Sequence, residues 1–285
     1  MNATLFQPTV RTVAVGDRQI HLAEFGAGPV VLLLHGGGPG ASGLSNYSRN
    51  VQALATGFRV LVPDMPGYGK SSKAVDTADP FGSIASAMLG LLDALDIERA
   101  HLVGNSLGGA CALRLALDRP DRLGRLVLMG PGGIGVSQGK PTPGLMRLLT
   151  YYAGEGPTFE KLAAFIREDL VYDSSRITED MLRERFESSI NAEVVANPPL
   201  RAPKDPEVFK RMDLLLDPRL EAFDHPTLVL WGTEDRVNPS SGAQLLQAKL
   251  PVCDVRLFSR TGHWVQWERA GEFNAAVAAF LGADA

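Results

Sequence analysis

In Ala100-His101-Leu102-Val103-Gly104-Asn105-Ser106-Leu107-Gly108-Gly109-Ala110-Cys111-Ala112, a short apolar run breaks into Gly-Asn-Ser-Leu-Gly and passes at once into a segment dense in small residues. This pattern predicts a strand that turns sharply into a helix with a serine at the apex. A turn that tight has no room for a side chain at 104 or 108. It holds the serine backbone in a sparsely populated conformation that exposes its hydroxyl. Ser106 is the candidate nucleophile. Glycine and serine also suit an ordinary strand-to-helix turn, so the chemistry depends on finding partner residues.

The partners expected are a carboxylate after a late strand and a histidine after the next one. Pro226-Thr227-Leu228-Val229-Leu230-Trp231-Gly232 reads as a buried strand, and the loop after it, Thr233-Glu234-Asp235-Arg236-Val237, carries two acids. Asp235, the second of the two and the shorter, is the favoured acid, mainly on the family pattern given below, with Glu234 the alternative. Asp254-Val255-Arg256-Leu257-Phe258-Ser259 reads as the next strand and leads to Thr261-Gly262-His263-Trp264, which makes His263 the candidate base. Of the other histidines, His21 lies in an alternating N-terminal strand, His101 begins the strand before Ser106, and His225 precedes a strand-opening proline. All three have structural explanations. His35 ends the run Val30-Val31-Leu32-Leu33-Leu34 and opens His35-Gly36-Gly37-Gly38-Pro39-Gly40, a glycine loop of the kind that lends a backbone N–H to an oxyanion hole. His35 itself is expected to brace that loop.

Composition bounds the answer. A chain of 285 residues buries roughly three quarters of its unfolded surface. The net charge is −4, from 28 basic and 32 acidic residues without long runs of either sign, and it gives no sign of nucleic acid or an anionic membrane as partner. The N-terminus has no basic stretch followed by an apolar one, and no apolar run approaches the roughly 18 residues of a membrane span. A soluble, cytoplasmic protein is expected. Two cysteines do not make a disulfide framework, and Cys111 reads as a small packing residue.

Gly16-Asp17 separates Thr12-Val13-Ala14-Val15 from Gln19-Ile20-His21-Leu22, which predicts an antiparallel hairpin. Beyond it the apolar runs 30–34, 59–63, 100–103, 125–129, 226–231 and 254–258 lack alternation, as strands covered on both faces do. Ile84, Met88, Leu91, Leu92 and Leu95 recur at helical spacing, so 81–95 reads as an amphipathic helix. The fold class is α/β: a mostly parallel, doubly wound sheet with an N-terminal antiparallel hairpin. Ligands bind such sheets beyond the carboxyl ends of the strands, where His35, Ser106, Asp235 and His263 all fall. From 136 to 212 the strand rhythm stops, and helical patterns at 158–171 and 178–190 sit among prolines. This segment reads as an inserted helical lid, with 1–135 and 213–285 forming the core. Leu145, Met146, Leu149, Phe165, Ile166, Leu170 and Val171 are its candidates to line a pocket.

Several motifs are more specific: His35-Gly36-Gly37-Gly38-Pro39-Gly40-Ala41 followed by Ser45-Asn46-Tyr47-Ser48-Arg49-Asn50, Gly104-Asn105-Ser106, Met129-Gly130-Pro131-Gly132-Gly133, and Gly262-His263-Trp264-Val265-Gln266-Trp267-Glu268. With them the chain resembles, over nearly its whole length, the alpha/beta-hydrolase fold family and within it the meta-cleavage product hydrolases. These are the carbon–carbon bond hydrolases of bacterial aromatic and steroid degradation.

The resemblance implies a 2-hydroxy-6-oxohexa-2,4-dienoate substrate cleaved at C5–C6 to 2-hydroxypenta-2,4-dienoate and a carboxylic acid. It implies Ser106, Asp235 and His263 as the triad, with Gly37 and Leu107 offering N–H groups to the oxyanion. Arg185 matches the lid arginine that holds the dienoate carboxylate, although Arg183 lies two residues away. Asn46, Asn105 and Trp264, with Gly38, match the lining around the dienol. The family often has a cysteine where this chain has Thr261. It also implies a homo-oligomer, a dimer or larger. No cofactor or metal is called for, and Asp64, in Pro63-Asp64-Met65-Pro66-Gly67-Tyr68-Gly69, is read as bracing a loop common in the fold. Apolar lid residues favour an apolar C6 substituent, and the choice between acyl-enzyme and gem-diol routes stays open. The alternative readings are an ester, lactone or amide hydrolase with the same triad, which needs neither Arg185 nor the Asn46 and Asn105 pair, and a non-catalytic binding protein that kept the fold.

Overall fold

A computed structural model describes residues 5–203 and 205–283. Strands β1 (Thr9–Val15) and β2 (Arg18–Phe25) form the expected hairpin, in which Val15 pairs with Arg18 across Gly16-Asp17 and Gly16 takes the positive φ that such a turn requires. Then follow β3 (Val30–Leu34), β4 (Arg59–Pro63), β5 (Ala100–Asn105), β6 (Leu123–Met129), β7 (Thr227–Gly232) and β8 (Cys253–Phe258). The eight strands form one sheet in the order β1-β2-β4-β3-β5-β6-β7-β8. β2 runs antiparallel to both β1 and β4, and every other pairing is parallel.

The continuous apolar runs divide by parity. Leu32 and Leu34 face a cluster closed by the helices Pro80–Ala94, Leu107–Asp118 and Ser241–Lys249, while Val31 and Leu33 face another closed by the helix Ala270–Leu281. The helix predicted over 81–95 runs over Pro80–Ala94, capped by Asp79, whose side chain accepts the Gly82 N–H, and opened by proline at its first position. Cys111 is fully buried in the first cluster.

Strand β8 departs from expectation. Its apolar run predicts cover on both faces, yet Leu257 is 46 % exposed and Asp254 and Arg256 are exposed as well. It is the last strand of the sheet, and helices cover it incompletely. Among the described residues between β6 and β7 there is no strand. The helices Pro143–Leu149, Phe159–Ala164, Glu179–Ser189, Ala192–Ala196 and Pro206–Arg211 occupy this stretch, and the helix expected over 158–171 changes at Phe165–Leu170 into a π-helical turn. Leu162, Phe165, Ile166, Leu170, Val171 and Leu182 form a third apolar cluster that packs onto Trp264 and Trp267 of the core. Among the described residues no helix is long and apolar enough to cross a membrane.

Candidate active site

The end of β5 sets the geometry. Ser106 has φ +54° and ψ −116° and caps the helix Leu107–Asp118. The flanking glycines are sterically required: a Cβ on Gly104 would lie 2.6 Å from the Gly108 carbonyl carbon, and one on Gly108 would lie 2.6 Å from the His35 carbonyl oxygen. The Gly108 N–H donates to His35 O at 3.1 Å, which ties the turn to the glycine loop after β3. A Cβ on Gly37 would lie 3.1 Å from Leu107 Cβ, so the two expected oxyanion donors are neighbours. Tyr68, which sequence reasoning gave no role, donates its hydroxyl to Gly37 O at 3.1 Å.

His35 braces this loop as expected. Its Nδ1 lies 2.8 Å from Gly36 O and its Nε2 accepts the Met65 N–H at 3.0 Å, which requires the neutral ring with the proton on Nδ1. Burial pushes its pKa down to about 4. Asp64 is likewise engaged with backbone, accepting from Gly43 N at 2.8 Å and Lys70 N at 2.9 Å.

The expected acid and base meet in the loops that follow β7 and β8. Asp235 Oδ2 lies 2.7 Å from His263 Nδ1, and its Oδ1 accepts the N–H groups of Val237 and Asn238, each at 2.9 Å. Glu234 turns elsewhere, accepting from Thr233 Oγ1 and the Thr261 N–H. The alternative left open in the sequence is thereby separated by geometry. Two unanticipated residues complete the arrangement: Trp231 Nε1 donates to Asp235 Oδ2 at 3.0 Å, and Asn238 Nδ2 donates to Gly130 O at 2.8 Å. Gly130 has φ +44°, and a Cβ there would stand 3.0 Å from Asp235 Oδ2 and 3.3 Å from His263 Nδ1.

Ser106 and His263 are linked through β6. Ser106 N donates to Met129 O at 2.9 Å, while Asn105 Nδ2 donates to Met129 O at 3.2 Å and to His263 O at 3.3 Å. Asn105 Oδ1 accepts from Gln266 at 3.3 Å. Its amide thus holds two strand ends together, whereas the resemblance implied a place in the substrate lining. The loop of His263 is also fastened to the segment above it. His263 N donates to Leu170 O at 2.9 Å, and Glu268 accepts the Gly262 N–H at 2.7 Å and the Tyr172 N–H at 2.8 Å. Burial raises the Glu268 pKa.

Arg185 lies on the helix Glu179–Ser189 and is 5 % exposed, whereas Arg183 is exposed and paired with Glu179. Its Nε donates to Pro39 O at 3.3 Å, its guanidinium sits 5.1 Å over the Trp264 ring, and its Nη2 would lie 2.9 Å from a Cβ on Gly38. Nη1 is buried without a partner, and burial lowers the pKa of the group to about 10. Asn46 donates to Ser42 O at 3.2 Å and leaves a buried Oδ1 unpartnered. The unpaired Asn46 oxygen flanks the glycine loop, since a Cβ on Gly36 would lie 3.7 Å from Asn46 Oδ1 and 3.6 Å from Ser106 Cβ.

Beside Ser106 and Leu107 opens a cavity walled by Phe81, Leu145, Leu148, Leu149 and Met212. No charged residue is among the described residues that line it. Of the expected pocket residues Leu145 and Leu149 reach it, Met146 is 40 % exposed, and Phe165, Ile166, Leu170 and Val171 pack in the third cluster.

A family model described as the alpha/beta hydrolase fold matches residues 29–270. The chain is 41 % identical over 277 residues to a 2-hydroxy-6-oxo-6-phenylhexa-2,4-dienoate hydrolase of Burkholderia cepacia, covering 96 % of this chain and 94 % of that one. It is 39 % identical over 277 residues to a 2-hydroxy-6-oxononadienedioate/2-hydroxy-6-oxononatrienedioate hydrolase of Comamonas testosteroni, with the same coverage. The solved structure of a 2-hydroxy-6-oxo-6-phenylhexa-2,4-dienoate hydrolase from Rhodococcus sp. strain RHA1 superposes with a TM-score of 0.85 at 30 % identity, covering 98 % of this chain and all 100 % of the other.

Proposed function

The chain belongs to the alpha/beta-hydrolase fold family and within it to the meta-cleavage product hydrolases, and from that premise we propose that it hydrolyses the C5–C6 bond of a 2-hydroxy-6-oxohexa-2,4-dienoate whose C6 substituent is uncharged. The products are 2-hydroxypenta-2,4-dienoate and the carboxylic acid of the substituent. The observation that carries this reading is the buried guanidinium of Arg185, whose Nη1 is unpartnered and whose Nη2 stands against Gly38 of the glycine loop. A charge buried without a counter-ion is costly, and a substrate carboxylate would supply one in a two-pronged geometry. An esterase with the same triad has no use for it.

A carbon–carbon bond breaks hydrolytically only if the departing carbon can hold the electron pair. The dienol therefore gains a proton at C5 and loses one from its 2-hydroxyl, giving the keto form. His263, held by Asp235, moves this proton. Ser106, or a water activated beside it, then adds to the C6 carbonyl, and the N–H groups of Gly37 and Leu107 hold the oxyanion, each worth about 2.7–4 kcal/mol. When C5–C6 breaks, the pair passes into the conjugated chain as the dienolate of 2-hydroxypentadienoate; the C6 carbon is left directly as the acid if water was the nucleophile, or as an ester of Ser106 that a water then hydrolyses to the acid and the free serine. Residues 136–212 act as the lid, Leu145, Leu148 and Leu149 enclosing the C6 substituent.

Mixing the enzyme with the yellow 6-phenyl dienoate should bleach it with release of benzoate, and Ser106→Ala should abolish turnover. The nonadienedioate, which would put a second carboxylate against apolar walls, should react at least about 100-fold more slowly in kcat/KM. Turnover of simple aryl esters without bleaching would replace this reading with the esterase.

A further inference from the structure

The wall of the Ser106 cavity is apolar apart from Ser106 itself, its glycines and one amide, Asn238, which is 8 % exposed. Sequence reasoning gave Asn238 no role, and the mechanism above does not use its side chain. Its backbone is pinned on both sides: the N–H donates to Asp235 Oδ1 at 2.9 Å and the carbonyl accepts from Trp231 Nε1 at 3.0 Å. The orientation of the amide is also determined. Gly130 O lies 2.8 Å from Nδ2, and a carbonyl oxygen can only accept, so the NH2 must face Gly130 and the Oδ1 must face away. Oδ1 has no partner among the described residues, and it is not sealed inside the protein as the Asn46 oxygen is. Asn238 stands where the Ser106 cavity meets a second, more open pocket, on a partition it shares with Val136, Leu145 and Phe209.

We infer that Asn238 is a specificity-determining residue whose side-chain carbonyl accepts a hydrogen bond from a hydroxyl or amino group carried on the C6 substituent. The preferred substrate is then a 6-aryl dienoate whose ring bears a hydrogen-bond donor. The inference rests on the carbon–carbon hydrolase reading and deepens it. A buried acceptor in an apolar wall has one unmet requirement, and a substituent without a donor leaves it unmet when it displaces water. A wall built wholly of leucine and phenylalanine would show no such preference.

The test compares kcat/KM for the 6-phenyl dienoate with those of its 2-, 3- and 4-hydroxyphenyl, 2-aminophenyl and matching methoxyphenyl analogues, in the wild type and in Asn238→Leu, which keeps the shape and removes the acceptor. At least one hydroxyl or amino isomer should exceed phenyl by about tenfold in the wild type and fall to near parity in Asn238→Leu, while the methoxy compounds gain nothing. Using ratios cancels any uniform loss from the broken bond to Gly130. Should Asn238→Leu not fold, inhibition of the wild type serves instead: the corresponding hydroxy- or aminobenzoate should inhibit about tenfold more strongly than benzoate. Equal inhibition, or donor preferences that Asn238→Leu leaves unchanged, would overturn the role of Asn238 while phenyl turnover left the hydrolase reading intact. Failure to bleach any dienoate would remove both.

Discussion

Ser106 is held at positive φ, a backbone state that costs a non-glycine residue about 1–3 kcal/mol. The strain belongs to the turn and not to the hydroxyl. Ser106→Ala should therefore be inactive at unchanged stability, whereas Ser106→Gly should be equally inactive but more stable by about 1 kcal/mol, with a Tm higher by about 2–4 °C in a calorimetric scan. Arg185→Gln removes a charge-assisted contact worth about 1.5–3 kcal/mol, so kcat/KM for the dienoate should fall by about 10- to 150-fold, with little further loss for the dienoate methyl ester. His35 links the loop to pH. Its folded pKa of about 4 lies below that of a free histidine, about 6.5, so the unfolded chain binds the extra proton between those values. Its stabilisation is complete above pH 6.5 and is lost as pH falls towards 4, an effect of about 3 kcal/mol. Urea titrations at pH 7 and pH 4.5 should show that dependence reduced in His35→Gln.

At the scale of elements, the chemistry gathers where strands end. Gly130, after β6, is the point where a single methyl group would press on Asp235 and His263 together. Gly130→Ala should lower kcat by at least about 100-fold in steady-state assays while the protein stays folded. The turn at Ser106, the hairpin and the parallel strands were legible because each depends on local pattern: glycines where no Cβ fits, alternation across Gly16-Asp17, unbroken apolar runs at 30–34 and 226–231. The pairing of Asp235 with His263 was legible from the order of the segments, and the structure supplied what separates Asp235 from Glu234. Less visible was whatever depends on distant neighbours. The π-helical turn at Phe165–Leu170 leaves no compositional trace, and the half-exposed β8 looks apolar until its place at the sheet edge is known. Glu268 stood in a quoted motif, but its backbone partners, Gly262 and Tyr172, are set by the fold. The same holds for Asn105, for which the resemblance implied a place in the substrate lining and whose partners are two carbonyls and the Gln266 amide.

At the scale of the whole molecule, the helical segment between β6 and β7 is joined to the residues after β8 through the third apolar cluster, with Trp267 beneath it and the Arg49 guanidinium 3.9 Å over the indole ring. Trp267→Ala should cost about 3–5 kcal/mol locally. Its amide exchange should accelerate first across 145–182 while β3, β5 and β6 stay protected, and KM should rise before the global Tm drops far. The bonds from Leu170 O to His263 N and from Tyr172 N to Glu268 bear on how this enzyme can be re-engineered. Residues 136–212 are not an interchangeable cassette. A segment transplanted there from another member brings its own side chains, but unless it presents a carbonyl and an amide at those two positions, the hybrid forfeits the alignment of His263 before gaining any new substrate. Recombination within this fold should therefore succeed at crossovers that inherit 168–173 together with 259–268, and fail at those that part them.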